Sequence, residues 1–150
     1  MSNEIIQNLG AIEQKLIVRH PTRKLVLEAA FRAHNMAEYF LSTPVFLAQA
    51  DGICADGTTY KLFLTNDKKH GYTPKVSEWA NTKLSVSLHK TLASALVNKG
   101  AFQLHHSVPN RIKVTRHSIL HGESIDYGNE VNSLKAISLV VYLSDLTTGY

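Results

Sequence analysis

The 23 residues TRHSILHGESIDYGNEVNSLKAI, positions 115–137, decide how this chain is read. They begin with Arg116, His117 and His121 on what reads as the end of one amphipathic helix, stopped by Gly122. On an ideal helix His117 and His121 lie four residues apart and share a face. Arg116 stands five residues before His121, about 140° around and about 7.5 Å along the axis, so its long side chain can reach the same anion. A permanent cation beside two imidazoles that titrate near neutrality suits phosphate chemistry. The competing reading is a solvated cationic helix end, where Arg and His meet the negative end of the macrodipole.

Working outward, residues 122–128 read as a loop, with Asn129 or Asn132 available to cap a last helix reaching about Leu146. That helix is apolar nearly all round through Val131, Leu134, Ile137, Val140, Val141 and Leu143, which marks it as buried on several sides. Upstream, the motif helix begins at Asn110 or Arg111, after a short piece from Phe102 to His106. Before it, a helix from Ser77 to about Asn98 carries Trp79, Leu84, Leu88, Leu92 and Leu96 in one stripe. Asn66 to Pro74 is polar and reads as a loop, and Thr58 to Leu64 as a short helix or ordered loop, because a lone strand would have no partner.

The N-terminal part is helical by the same criterion. Glu4 to Val18 repeats Ile5, Leu9, Ile12, Leu16 and Ile17 at steps of three to four, weakened by Gly10. After His20-Pro21, Thr22 is the candidate cap of a long second helix from Arg23 to about Cys54, with a turn at Asp56-Gly57. Lys24, Glu28, Arg32 and Glu38 form its polar stripe, opposite Val26, Leu27, Ala30, Phe31, Met36, Phe40 and Leu41. Pro44 should kink or split it. Beyond the kink, Val45 to Ala48 should be central in the core, with Gln49 and Asp51 bonded there or contributing to a site.

The chain of 150 residues, 44% hydrophobic and 19% charged, fits one ordinary globular domain over 1–150, with 1–20 as an N-terminal helix that can serve as an accessory arm. A single cysteine, Cys54, excludes a disulfide framework, suits a reducing compartment and reads as a buried inert thiol. With no secretion-type start and no apolar run long enough to span a bilayer, a cytoplasmic protein without membrane contact is expected. The net charge of +4 permits a polyanionic partner without requiring one. Its basic residues gather at Arg19-His20 with Arg23-Lys24, at Lys68-Lys69-His70, and at Arg111, Lys113 and Arg116, and each cluster alone reads first as solvated surface.

Several chemistries are missing from the sequence. There is no phosphate-cradling glycine loop, no dinucleotide fingerprint and no nucleophile elbow. His117 and His121 have the spacing of a metal-binding pair, but Ser118 stands where a zinc protease needs glutamate and Arg116 would repel a divalent ion; no metal and no cofactor is expected. RNA cleavage remains open to these residues. It needs a base for the 2′-hydroxyl, an acid for the leaving oxygen and a cation for the charge building on phosphorus, and no metal.

At this point the run resembles the HEPN domains (higher eukaryotes and prokaryotes nucleotide-binding), whose signature is R-x4-6-H. Arg116-x4-His121, with the polar His117 directly after the arginine, fits that signature. With Gly122, Asp126-Tyr127-Gly128, Asn132-Ser133-Leu134-Lys135-Ala136 and an apolar final helix, the stretch is similar to the C-terminal segment of many uncharacterised bacterial HEPN-like proteins. The resemblance covers about residues 115 to 143, with looser support from Leu47 to Cys54.

It implies an all-α, up-and-down helical bundle with a long kinked second helix and short extra helices or a loop insertion in the middle. It further implies a homodimer that brings two motifs to one cleft, and a metal-independent endoribonuclease of toxin–antitoxin or anti-phage defence systems. RNA and a cognate antitoxin protein would be the partners. Arg116 would then hold or neutralise phosphate, His121 act as general acid or base, and His117 orient or assist, with Arg111, Lys113, Lys68 and Lys69 as RNA contacts. Arg111-x5-His117 also fits the spacing. The alternatives are a non-catalytic HEPN-like domain that binds RNA or protein, as part of a longer protein or alone, and an unrelated helical protein or a metal site.

Overall fold

The structure, a computed structural model, describes residues 8–58 and 116–148. All regular elements among the described residues are helices, an all-α fold: α1 (Leu9–Arg19), a 3-10 turn (Pro21–Arg23), α2 (Lys24–Asn35), α3 (Tyr39–Thr58), α4 (Arg116–Leu120) and α5 (Glu130–Thr148). The expectations for residues 1–7, the short helix or ordered loop beyond Thr58 to 64, the loop at 66–74, the helix at 77–98, the piece at 102–106 and the first residues of the motif helix lie outside the described residues.

α1 forms where the apolar spacing places it and buries Leu16 and Ile17, with Leu9 and Ile12 packed at the core edge. Thr22 does not cap the next helix. It falls inside the 3-10 turn, and Arg23 takes the cap position without a side-chain bond. The long second helix is divided, but not at Pro44. It breaks at Met36-Ala37-Glu38, where Ala37 adopts φ +60°. The Glu38 N–H donates to the Ala33 carbonyl at 2.8 Å and the Ala37 N–H to the His34 carbonyl at 3.0 Å. This paired closure normally uses glycine at the left-handed position, and here alanine carries the strain.

The break reverses the chain, so α2 and α3 pack as an antiparallel pair in which Phe31 meets Phe46 edge to face, ring centres 4.9 Å apart. It also rotates part of the expected apolar face outward: Met36, Phe40 and Leu41 are exposed, while Leu27, Ala30 and Phe31 are buried. Pro44 sits within α3. Phe46, Leu47, Ala50, Ile53 and Cys54 are buried as the apolar reading of this half requires, although Ala48 is exposed.

α3 continues through Asp56-Gly57, where a turn was expected. Two contacts explain the extension. The Arg23 guanidinium grips the Asp56 carboxylate at 2.8 and 2.9 Å. Gly57 has no side chain to keep Thr147 away, and a Cβ there would lie 2.4 Å from the Thr147 Cβ. The start of α3 meets the start of α5 through Phe40 and Gly128, and their ends meet through Gly57 and Thr147, so the two run in the same direction. α5 buries Leu134, Ala136, Ile137, Leu139, Val140, Leu143 and Leu146 against this frame, with Val131 left exposed. No described helix is long and apolar enough to cross a membrane.

Candidate functional site

The motif occupies α4 and the turn after it. α4 ends at Leu120, and Gly122 takes φ +73°. The Glu123 N–H donates to the Ser118 carbonyl at 2.8 Å, and the Gly122 N–H to the Ile119 carbonyl at 3.1 Å. Ser124 N–H also donates to the Ser118 carbonyl, at 2.9 Å. This is the same closure as at Ala37, now with the glycine that a left-handed residue prefers. The helix is seated by its inner side, for Ser118 and Ile119 are buried and α4 touches α3. Leu120 and His121 are exposed. His121 thus stands exposed at the capping position, between backbone bonds that close the helix end on both sides.

By backbone position, 117 and 121 share a face roughly opposite Ile119, and 116 stands about 100° around the helix from 117 and about 140° from 121. The side chains of Arg116 and His117, and the whole of Lys68, Lys69, Arg111 and Lys113, lie outside the described residues.

The loop between α4 and α5 is held at several points. Ser124 is buried and donates to the Asp126 carboxylate at 3.1 Å. The Tyr127 ring packs edge to face on Phe40 at 5.2 Å. Gly128 lies so close to that phenyl ring that a Cβ would approach it to 2.3 Å. Asn129 caps α5, its side-chain oxygen accepting the Asn132 N–H at 2.9 Å. Fully buried Asn132 returns its amide to the Tyr127 carbonyl at 3.0 Å. Both candidate caps therefore have work, Asn129 as the cap and Asn132 as the clamp on the preceding loop.

The basic group near residue 20 is integrated into the fold rather than left as free surface. Arg23 lies over Gly52 and donates to Gln49 at 2.9 Å as well as to Asp56. Gln49 is thus a structural hydrogen-bonder. Asp145 accepts from Lys15 at 2.7 Å and from Arg19. Burial alone would raise the Asp145 carboxyl, but those two cations hold it below its ordinary value.

Sequence reasoning missed a set of buried polar links along α5. His20 is hydrogen-bonded to Ser144 at 2.8 Å. His34 is hydrogen-bonded to Ser133 at 2.8 Å, and Ser133 to Ser42 at 2.8 Å. All five residues are buried. The available signal was Ser133 and Ser144, two of the three serines on a largely apolar helix, since buried hydroxyls need partners.

Among the described residues no group of three or more His, Cys, Asp or Glu is placed to hold a metal ion. Cys54 is a buried thiol. No family model, curated protein or solved structure matches the chain.

Proposed function

We propose that this protein is a metal-independent endoribonuclease of HEPN type, a toxin or anti-phage defence component acting in the cytoplasm. Arg116 and His121 from two copies would form the composite RNA-cleaving site. The observation that carries the reading is the placement of His121. It sits exposed at the end of a short helix, fixed by the Gly122 closure and backed by buried Ser118 and Ile119. An exposed histidine on a preorganised helix cap suits a group that meets a substrate at the surface.

In the proposed reaction a histidine base takes the proton from the ribose 2′-hydroxyl, whose oxygen attacks the adjacent phosphorus. The bond to the 5′-oxygen breaks, and a histidine acid protonates that oxygen. The products are a 2′,3′-cyclic phosphate and a 5′-hydroxyl end. His121 serves as acid or base, His117 orients or assists, and Arg116 neutralises the charge on the phosphoryl oxygens. Arg111, Lys113, Lys68 and Lys69 would contact RNA phosphates, and a cognate antitoxin protein would restrain the activity.

The test is digestion of labelled RNA by purified protein in EDTA, with His121→Ala and Arg116→Ala alongside. Cleavage by wild type that both variants lose supports the enzyme. RNA or protein binding without cleavage supports a non-catalytic domain instead.

A further inference from the structure

His20 and His34 stand at the two ends of one contact. His34 lies in the last turn of α2 and meets Ser133 in the first turn of α5, while His20, between α1 and the 3-10 turn, meets Ser144 near the other end. Ser133 and Ser144 lie about three helical turns apart and within about 20° of the same face of α5. Both serines are 0% exposed, His20 is 8% exposed and His34 5%. Each ring's hydrogen-bond partner among the described residues is a hydroxyl rather than a carboxylate. A neutral imidazole, one donor and one acceptor, matches that environment, whereas an imidazolium would be a buried charge bonded only to a neutral group.

We infer that His20 and His34 form a two-point acid latch: with both rings neutral α5 is seated on α1–α3, and protonation unseats it together with the 122–129 loop that its first turn clamps. The inference does not depend on the proposed activity.

The charges around each ring set the direction. At His20 burial is the largest influence and favours the neutral ring. Arg23 adds to it, Asp56 opposes it, and Arg19 again favours the neutral form. At His34 burial again dominates, with Glu130 pulling the other way and Tyr39 packed on the ring at 5.5 Å. Both rings therefore protonate below their ordinary value of 6.5. Groups held down in this way protonate more readily when α5 is unseated, so the seated state is most stable above pH 6.5. It weakens as the pH falls from there, until the seated rings themselves protonate.

The test uses the full chain. Histidine ring signals are followed by NMR from pH 8 to 4.5, and amide exchange, corrected for its intrinsic pH dependence, is compared at pH 7.5 and 5.0. The latch predicts that both rings titrate below 6.5. It also predicts that opening of residues 122–148 increases by up to about tenfold per pH unit for each histidine, well beyond the change at 27–31 and 46–54. The double variant His20→Gln, His34→Gln keeps a donor and an acceptor at each site without a titrating group, and should lose that increase. Where the double variant does not fold, each single variant should lose about half of the logarithmic slope. Rings that titrate at or above 6.5, or protection of α5 that is unchanged between the two pH values in wild type, would overturn the inference.

Discussion

The Tyr127 hydroxyl donates to the Phe40 carbonyl at 3.3 Å, and Phe40 stands four residues before Pro44. Proline has no N–H, so that carbonyl is the one that Pro44 leaves without its normal helical donor. A side chain from the motif loop thus supplies the bond that the helix cannot. The same contact joins the loop to α3, helped by the ring packing of Phe40 and Tyr127.

This relationship predicts coupling between residues 127 and 44. Tyr127→Phe should cost about 0.5 kcal/mol, the low end for a long, solvent-facing bond. In a Pro44→Ala background the cost should fall toward zero, because the new backbone N–H can serve Phe40 itself. A double-mutant cycle by urea denaturation measures the difference. Equal costs in both backgrounds would sever the proposed link.

The two left-handed helix ends predict opposite responses. Ala37→Gly relieves a backbone conformation that costs an L-residue about 1 kcal/mol, and should stabilise the chain by somewhat less than that. Gly122→Ala introduces the same strain and should destabilise by about 1 kcal/mol, although open space surrounds the position. Thermal unfolding of the two variants checks the pair of signs.

Glycines 52 and 57 should separate for a different reason. An added Cβ at Gly52 meets the mobile end of Arg23 at 2.3 Å, whereas at Gly57 it meets the Thr147 Cβ, which moves only with the α5 backbone. Alanine gains about 1 kcal/mol of helix propensity at either site. Gly52→Ala should therefore be near neutral and displace Arg23, so that a further Arg23→Ala change costs little. Gly57→Ala should cost about 1–2 kcal/mol net by forcing α3 and α5 apart. Denaturation midpoints of the three variants decide it.

Asp145 sets the behaviour in strong acid. Its carboxyl is held below the ordinary 3.8 by Lys15 and Arg19, against the effect of burial. Its contribution is therefore complete above pH 3.8 and is lost as the pH falls through the lower folded value. Asp145→Asn should destabilise near neutral pH and flatten this part of the acid limb. An unfolding titration that keeps its full slope in the variant would contradict that role.

Much of this frame was legible because it rests on periodicity. The spacing of Leu9, Ile12, Leu16 and Ile17 gave α1, the apolar run from Val131 to Leu143 gave α5, and Gly122 marked the end of α4. The break at Ala37 was hidden, since nothing in Met36-Ala37-Glu38 has the chemistry of a stop, and Pro44 drew attention to the wrong turn of the helix. Asp56-Gly57 reads locally as a turn, and the residues that meet it in the helix, Arg23 and Thr147, are distant in sequence. The histidine–serine pairs were hidden for the same reason, joining residues about a hundred positions apart. At the candidate site, the cap geometry around His121 follows from Gly122, while Arg116 and His117 rest on the sequence motif.

The proposed activity is tested most directly by a cleavage assay on RNA in EDTA, with the new ends analysed. The account predicts 2′,3′-cyclic phosphate and 5′-hydroxyl products from wild type, reduced at least a hundredfold in a folded His121→Ala variant, consistent with the two to four orders of magnitude that acid–base catalysis supplies. Cleavage that survives unchanged in that variant, or a folded wild-type dimer that binds RNA without cutting it, would contradict it.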